Sequence, residues 1–353
     1  MLAPPPLPRT LEASLRDLDS KKPAVRASAI KDLVRHARLA DEVRANALPR
    51  IEVALAKDDS AEVRSAAALA LADLRASEAL PTLLVAVEDA HPHVRQMALT
   101  ALGEIGDRRA LQRLARALDD ERPEVRYQAV IAYARLSEDE PRDVAGVLVR
   151  ALDDDDPNIV YIALRVAEEH ATGADTDALA ARAETLLASK TPPVGVAAAI
   201  YLARRSLHVV EGSPADTTQR TLTAEATEVL LRVARGDLRG IATEDEEAAL
   251  ELAGELPLKE AEPHLERRAW GLGRVLRGGG DAWHAKIALA RMGHERARGE
   301  ILRDLASWRR VAREAAVVAA GRARLTEARE AIVALGEGRA DPQLVAEALA
   351  RLR

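Results

Sequence analysis

Apolar residues along this chain recur at intervals of three and four, the pattern of helices with one buried side. In the segment that begins at Pro92, the residues Val94, Ala98, Leu102 and Ile105 fall on one helical stripe, while Gln96, Thr100 and Glu104 lie off it. A second amphipathic segment precedes it, Ala79 to Glu88, with Leu80, Leu83, Leu84 and Val87 on its apolar side. The turn Asp89-Ala90-His91-Pro92 separates the two. Proline fits the first turn of a helix, where its missing N–H would have no partner anyway, so this turn predicts the start of a new helix. The predicted unit is a helical hairpin, and no run alternates with the period of two that a strand requires.

The hairpin recurs. Its second helix reads D-S-A-E-V-R-S-A-A-A-L-A-L from Asp59, A-H-P-H-V-R-Q-M-A-L-T-A-L-G from Ala90 and E-R-P-E-V-R-Y-Q-A-V-I-A-Y from Glu121. Aligned on the valine, the anchors are Val25, Val63, Val94, Val125, Ile159 and Val194, spaced 38, 31, 31, 34 and 35 residues apart. Periods of that length predict a solenoid of stacked hairpins, because one hairpin cannot bury both of its apolar stripes. Small residues at Ala98, Ala129 and Ala163 let neighbouring helices approach closely. Weaker copies cover Glu244 to Gly254, Asp281 to Gly293, Val311 to Gly321 and Asp341 to Leu352, so about ten repeats are expected. The layout is regular repeats over 1–205, a long turn-rich loop over 206–219, and degenerate repeats over 220–353. Gly278, Gly279 and Gly280 are expected to lie outside helices, as a hinge or as a plain connector.

Composition agrees with an all-α chain. Hydrophobic residues make up 48% of the 353, yet there is no Phe and only 3 Trp and 4 Tyr, so the apolar content is mostly Ala, Leu and Val. The absence of Cys excludes disulfides, thiolate metal sites and cysteine nucleophiles. The opening MLAPPPLPRT has no basic and apolar signal pattern, and the longest apolar stretch, Val194 to Ala203, is too short to span a bilayer. A soluble, cytoplasmic protein is the expectation.

One polar regularity accompanies the apolar one. Asp58 precedes Arg64, Asp89 precedes Arg95 and Asp120 precedes Arg126, each by six residues. Such an Asp can cap the following helix and meet the Arg of its own or the next repeat, forming a ladder of charge-assisted bonds. Together these motifs resemble the HEAT-repeat family, in particular the short bacterial HEAT-like type related to bilin lyase repeats; the resemblance is strong from Asp19 to Leu136, fair to Ala203 and patchy afterwards. It implies a right-handed superhelix whose concave face is lined by the second helices, where partners dock. Ile159 is followed by Val160 and Val194 by Gly195, so the ladder should stop near residue 155.

Candidate chemistry is sparse. HEAT-like hydroxylases carry repeated His-Glu pairs because a di-iron centre needs several converging ligands, and here His294-Glu295 is the only such pair. His91 and His93 flank Pro92 in a turn, as metal ligands or as an ordinary solvated turn. Asp153 to Asp156 lacks the spacing of a calcium loop and reads as helix capping with solvated charge. No phosphate loop, nucleophile elbow or zinc-protease motif occurs. No cofactor and no metal are therefore expected.

Charge is uneven: residues 1–50 carry a net +4, 51–250 a net −14, and 251–353 a net +4. The last part gathers Arg267, Arg268, Arg274, Arg277, Arg291, Arg309, Arg310 and Arg313 with Trp270, Trp283 and Trp308, a set that either packs or binds nucleic acid. All four tyrosines fall in three consecutive repeats. Tyr133 and Tyr201 lie on the core stripe, whereas Tyr127 and Tyr161 lie two residues after their anchors, on the expected exposed side of neighbouring second helices. One turn on, Ile131 and Arg165 share that side. Tyr and Arg with an exposed Ile are typical of interface hot spots; the alternative is that the rings merely cover adjacent helices. The expectation is a non-enzymatic scaffold or adaptor that docks a protein partner with basic and apolar segments through this groove. The alternatives are a HEAT-like lyase or DNA glycosylase, or nucleic-acid binding by the C-terminal Arg and Trp residues.

Overall fold

A computed structural model of the chain describes residues 9–137, 141–170, 176–207, 222–271, 280–336 and 338–352. Its contacts divide it into two compact units, Met1–Ala171 and Thr172–Arg353. In the first lie α1 (Leu11–Asp17), α2 (Pro23–Ala37), α3 (Asp41–Lys57), α4 (Ala61–Asp73), α5 (Leu80–Ala86), α6 (Pro92–Ile105), α7 (Leu111–Ala117), α8 (Pro123–Leu136), α9 (Pro141–Ala151) and α10 (Pro157–His170). In the second lie α11 (Asp177–Leu186), α12 (Pro192–Leu207), α13 (Ala224–Arg235), α14 (Thr243–Glu255), α15 (Glu262–Trp270), α16 (Gly280–Arg291), α17 (Glu295–Leu305), α18 (Arg310–Arg322), α19 (Arg329–Leu335) and α20 (Pro342–Arg351). Each odd-numbered helix packs on the even one that follows it, giving five hairpins per unit. Among the described residues the fold is all-α, about ten HEAT-like hairpins that stack within each unit in the right-handed manner of an α-solenoid.

Prolines stand at the first position of α2, α6, α8, α10, α12 and α20, as the turn pattern predicts. Several first helices are shorter than their apolar pattern. The segment read as Ala79 to Glu88 begins with a 3-10 turn over Ser77–Ala79, and α5 proper runs only from Leu80 to Ala86, with Pro81 in its first turn. Ser206 and Leu207, read as loop, belong to α12, while 208–219 lie outside the described residues. Gly280 is the first residue of α16 rather than part of a connector, and Gly278 and Gly279 lie outside the described residues.

The core runs through each stack rather than inside any hairpin. Anchors Val63, Val94 and Val125 are fully buried, as are Ala98, Ala129 and Ala163. Successive second helices form the main layer of contact between hairpins, α4 against α6, α6 against α8, and α14 against α16. Their approach is set by residue size. A Cβ added at Gly254 would meet the Ala288 Cα at 2.5 Å, and one at Gly321 would meet the Ala348 Cα at 2.8 Å, so these glycines stand where two backbones touch. Each fully buried leucine in the layer, such as Leu99 and Leu102, contributes about 2 kcal/mol.

A polar ladder runs beside this layer in the first unit. Arg64 donates through Nε and Nη2 to the two carboxylate oxygens of Asp89 at 2.7 and 2.8 Å, and through Nη1 to the carbonyl of Asp58 at 3.0 Å. Arg95 does the same with Asp120 and the Asp89 carbonyl, and Arg126 with Asp154 and the Asp120 carbonyl. Each arginine therefore holds its own turn by the carbonyl and the next hairpin's turn by the carboxylate. Each carboxylate also accepts the N–H two residues on, as Asp89 does from His91 at 2.8 Å, so it closes the turn and leaves the N-cap position to that second residue. Arg26 adds a further rung to Asp58, although Ser20 stands where the other copies have Asp; only the Ser20 carbonyl is needed.

Burial alone would raise the carboxyl pKa of Asp58, Asp89 and Asp154, but the arginine and backbone hydrogen bonds outweigh it and hold all three below their ordinary 3.8. A carboxyl that is more acidic when folded stabilises the fold above its unfolded pKa, and that contribution is lost as pH falls through the folded value. The melting temperature should therefore drop from about pH 4 downwards. Arg64→Met should cost about 2–4 kcal/mol at neutral pH, by leaving Asp89 half-buried and unpaired, and should shrink the acid drop. An unchanged acid profile in that variant would remove the ladder from the energetics. In urea titrations, Gly254→Ala should lose about 1–3 kcal/mol through overpacking. Gly146→Ala, where nothing lies within 4 Å, should gain roughly 0.5–1 kcal/mol. Equal stabilities for the two would contradict backbone contact at Gly254.

Candidate functional site

Second helices of the first unit turn one side to their neighbours and leave the other partly open. The position two residues after each anchor marks that open side, and its exposure depends on side-chain length. Ala27 and Ser65 are buried there, whereas Gln96, Tyr127 and Tyr161 are half-buried. The expectation of an exposed position is corrected accordingly: the seam between adjacent helices covers short side chains, and only long ones reach out of it. Ile131 and Arg165, one turn on, are half-buried too, and Arg165 pairs with Glu168. Since α8 and α10 pack side by side, the two tyrosines, Ile131 and Arg165 belong to one face. Tyr133 is also half-buried, while Tyr201 is fully buried in the second unit.

The same face continues over α2, α4 and α6 as a shallow cavity of about 360 Å³. Lys31, Glu62, Ser65, Leu69, His93 and Met97 are among its walls, and Leu69 is 38% exposed. The histidines of this turn serve the backbone and a neighbouring amide. His91 caps α6 by accepting the His93 N–H at 3.3 Å, and His93 Nδ1 lies 3.4 Å from Gln96 Oε1. In the Asp153 to Asp156 run, Asp154 takes the Arg126 rung and Asp156 accepts the Asn158 N–H at 2.8 Å.

The second unit separates the arginine and tryptophan set that the sequence groups together. Arg268 is only 3% exposed and is spent internally, donating to the Val233 and Ala234 carbonyls at the end of α13 and to Glu246 and Asp281. Arg313 donates to the carbonyls of Ser307 and Arg339, and Arg310 pairs with Glu314. Arg267 bonds His264, and Arg274 and Arg277 lie outside the described residues. Trp270 donates to Glu300 at 3.1 Å beneath the guanidinium of Arg296, and Trp283 is half-buried against Arg322. Trp308 alone of the three stands out, 83% exposed with Arg309 over its ring. Burial would raise the Glu300 carboxyl, but hydrogen bonds from Lys286 and Trp270 overcome it and bring the pKa down to about 2.

One cluster has the composition of a metal site. Glu262, Glu266 and His294 offer ligand atoms within 4.8 Å of one another. The imidazole is already occupied on both sides, since Nδ1 accepts the Ala297 N–H at 3.4 Å and Nε2 lies 2.9 Å from Glu266. With Nδ1 accepting, Nε2 donates to the Glu266 carboxylate, so His294 serves as the cap of α17 and as a hydrogen-bond donor to α15.

No described helix is long and apolar enough to cross a membrane. Residues 48–134 match the family model described as HEAT repeats. No curated protein sequence matches the chain. Among solved structures, the E. coli protein YibA aligns over 81% of this chain and 93% of its own, at 16% identity and a TM-score of 0.55. An engineered protein aligns over 97% of both chains at 19% identity and a TM-score of 0.49. The complex of CpcE and CpcF of phycocyanin lyase from a Nostoc species aligns over 75% of this chain and 96% of that one, at 16% identity and a TM-score of 0.43. At 16% identity the likeness to YibA is one of fold alone. Residues 48–134 are a stretch of HEAT repeats, and the same helical hairpin is built before and after them.

Proposed function

We propose that the chain is a non-enzymatic scaffold or adaptor that docks a protein partner on the second-helix face of its first unit. The observation that carries this reading is the continuity of that face. Large side chains at Tyr127, Ile131, Tyr161 and Arg165 rise out of a seam that hides shorter ones, beside a shallow cavity that reaches Leu69 and Met97. Rings held at their base by neighbouring helices lose little freedom on binding, which favours them as anchors. Residues 51–250 carry a net −14, so a partner segment with basic as well as apolar side chains suits the face, and the charge acts mainly on the association rate. The competing nucleic-acid reading is weakened because Arg268, Arg310 and Arg313 already serve carbonyls and carboxylates.

Capture of the partner from the native source tests the proposal. Tyr127→Ala combined with Tyr161→Ala should weaken capture strongly, each truncation costing about 2 kcal/mol or more of binding, with helical content nearly unchanged. Undiminished capture by a folded double variant would move the interface elsewhere. A collapse in thermal stability would assign both rings to the core.

A further inference from the structure

In the second unit the ends of successive second helices surround a polar cavity of about 370 Å³. Arg204 of α12, Arg291 of α16, Arg322 of α18 and Arg351 of α20 line it from last turns, Arg324 from just beyond α18, and Glu251 and Glu255 from α14. Five guanidinium groups thus face two carboxylates, and both carboxylates are engaged. Glu251 accepts from His284 Nδ1 at 2.6 Å and from Arg322 Nη1 at 2.7 Å, and Glu255 lies 3.4 Å from Arg204. Among the described residues, Arg291, Arg324 and Arg351 have no carboxylate within ion-pair distance, and Arg291 has only the Arg322 carbonyl at 3.3 Å. Arg291 is half-buried, and burial together with the nearby charge of Arg324 pushes its pKa down.

An arginine in a last turn complements the helix dipole, and one such residue per helix would need no further explanation. Stacking, however, brings these ends together, so the like charges share one concave space whose repulsion a counter-anion would relieve. We propose that this cavity binds a phosphorylated small molecule, with Arg291 and Arg324 as its main phosphate ligands and Arg351 closing the rim. A single carboxylate would leave two of the three forks unmatched, whereas a phosphate ester or diphosphate presents several charged oxygens to guanidinium groups arriving from different helices. The volume falls within the range of small-ligand pockets.

The test uses the full chain with inorganic pyrophosphate, followed by calorimetry and by thermal shift, against Arg291→Gln and Arg324→Gln. Arg298→Gln serves as a control, since Arg298 pairs with Glu327 away from the cavity. Pyrophosphate should bind saturably and tighter than sulfate, raise the melting temperature of the wild-type chain, and bind roughly tenfold more weakly to each cavity variant but not to the control. Without anion, the Arg291→Gln variant should melt no lower than wild type, because it loses repulsion. A lower melting temperature for it, with pyrophosphate binding unchanged, would assign Arg291 to the helix end alone. Binding that is equal across all variants, unsaturable, or absent at millimolar pyrophosphate would overturn the site. So would single-stranded DNA that displaces pyrophosphate and loses its own binding in the same variants.

Discussion

A hairpin of two amphipathic helices has more apolar surface than it can bury on itself, and every other feature of this chain follows from how that surplus is covered. In each unit the second helices cover one another, and they do so at backbone distance where Gly254 meets Ala288 and Gly321 meets Ala348. Such contacts are short-ranged and unforgiving of size, which explains why the chain is rich in Ala and has no Phe. Apolar packing alone tolerates sliding of one helix along another. In the first unit the arginine rungs remove that freedom, because a bidentate guanidinium is satisfied in only one register. Packing supplies the stability and the rungs select the register.

The same construction divides the polar residues into those consumed by the stack and those left for other uses. Arg64, Arg95, Arg126 and the buried Arg268 are held by carbonyls and carboxylates. Among the described residues, Arg291, Arg324 and Arg351 around the second unit's cavity have no carboxylate within ion-pair distance, and Tyr127 and Tyr161 rise half-buried from the first unit's seam. They occur where a repeat position that is usually short or neutral carries a long or charged side chain. Function in a repeat protein is sought in such departures, since the regular positions are already explained by stacking.

Much of this could be read in the sequence. The anchors, the hairpins and the proline starts come from local periodicity, and Asp89, Arg95, Asp120 and Arg126 are visible in their six-residue spacing. That spacing names the participants but leaves their pairing open, since a carboxylate 25 residues ahead is as accessible as one six residues behind. Arg26 escapes the pattern because its rung uses the Ser20 carbonyl, which any residue would provide. Burial is hidden as well: Arg268 and Arg267 are adjacent and alike in sequence, yet one is enclosed and the other exposed. The cavity arginines are spread over 148 positions, from Arg204 to Arg351, and only stacking brings them together.

The rungs couple neighbouring hairpins instead of decorating them. A double-mutant cycle on Arg95→Met and Asp120→Asn, followed by urea unfolding, isolates that term from the packing around it. A coupling energy of about 1–3 kcal/mol is predicted, as befits a bidentate pair that is 10% and 12% exposed. Additivity of the two substitutions to within about 0.3 kcal/mol would contradict it and leave the apolar layer as the sole determinant of register.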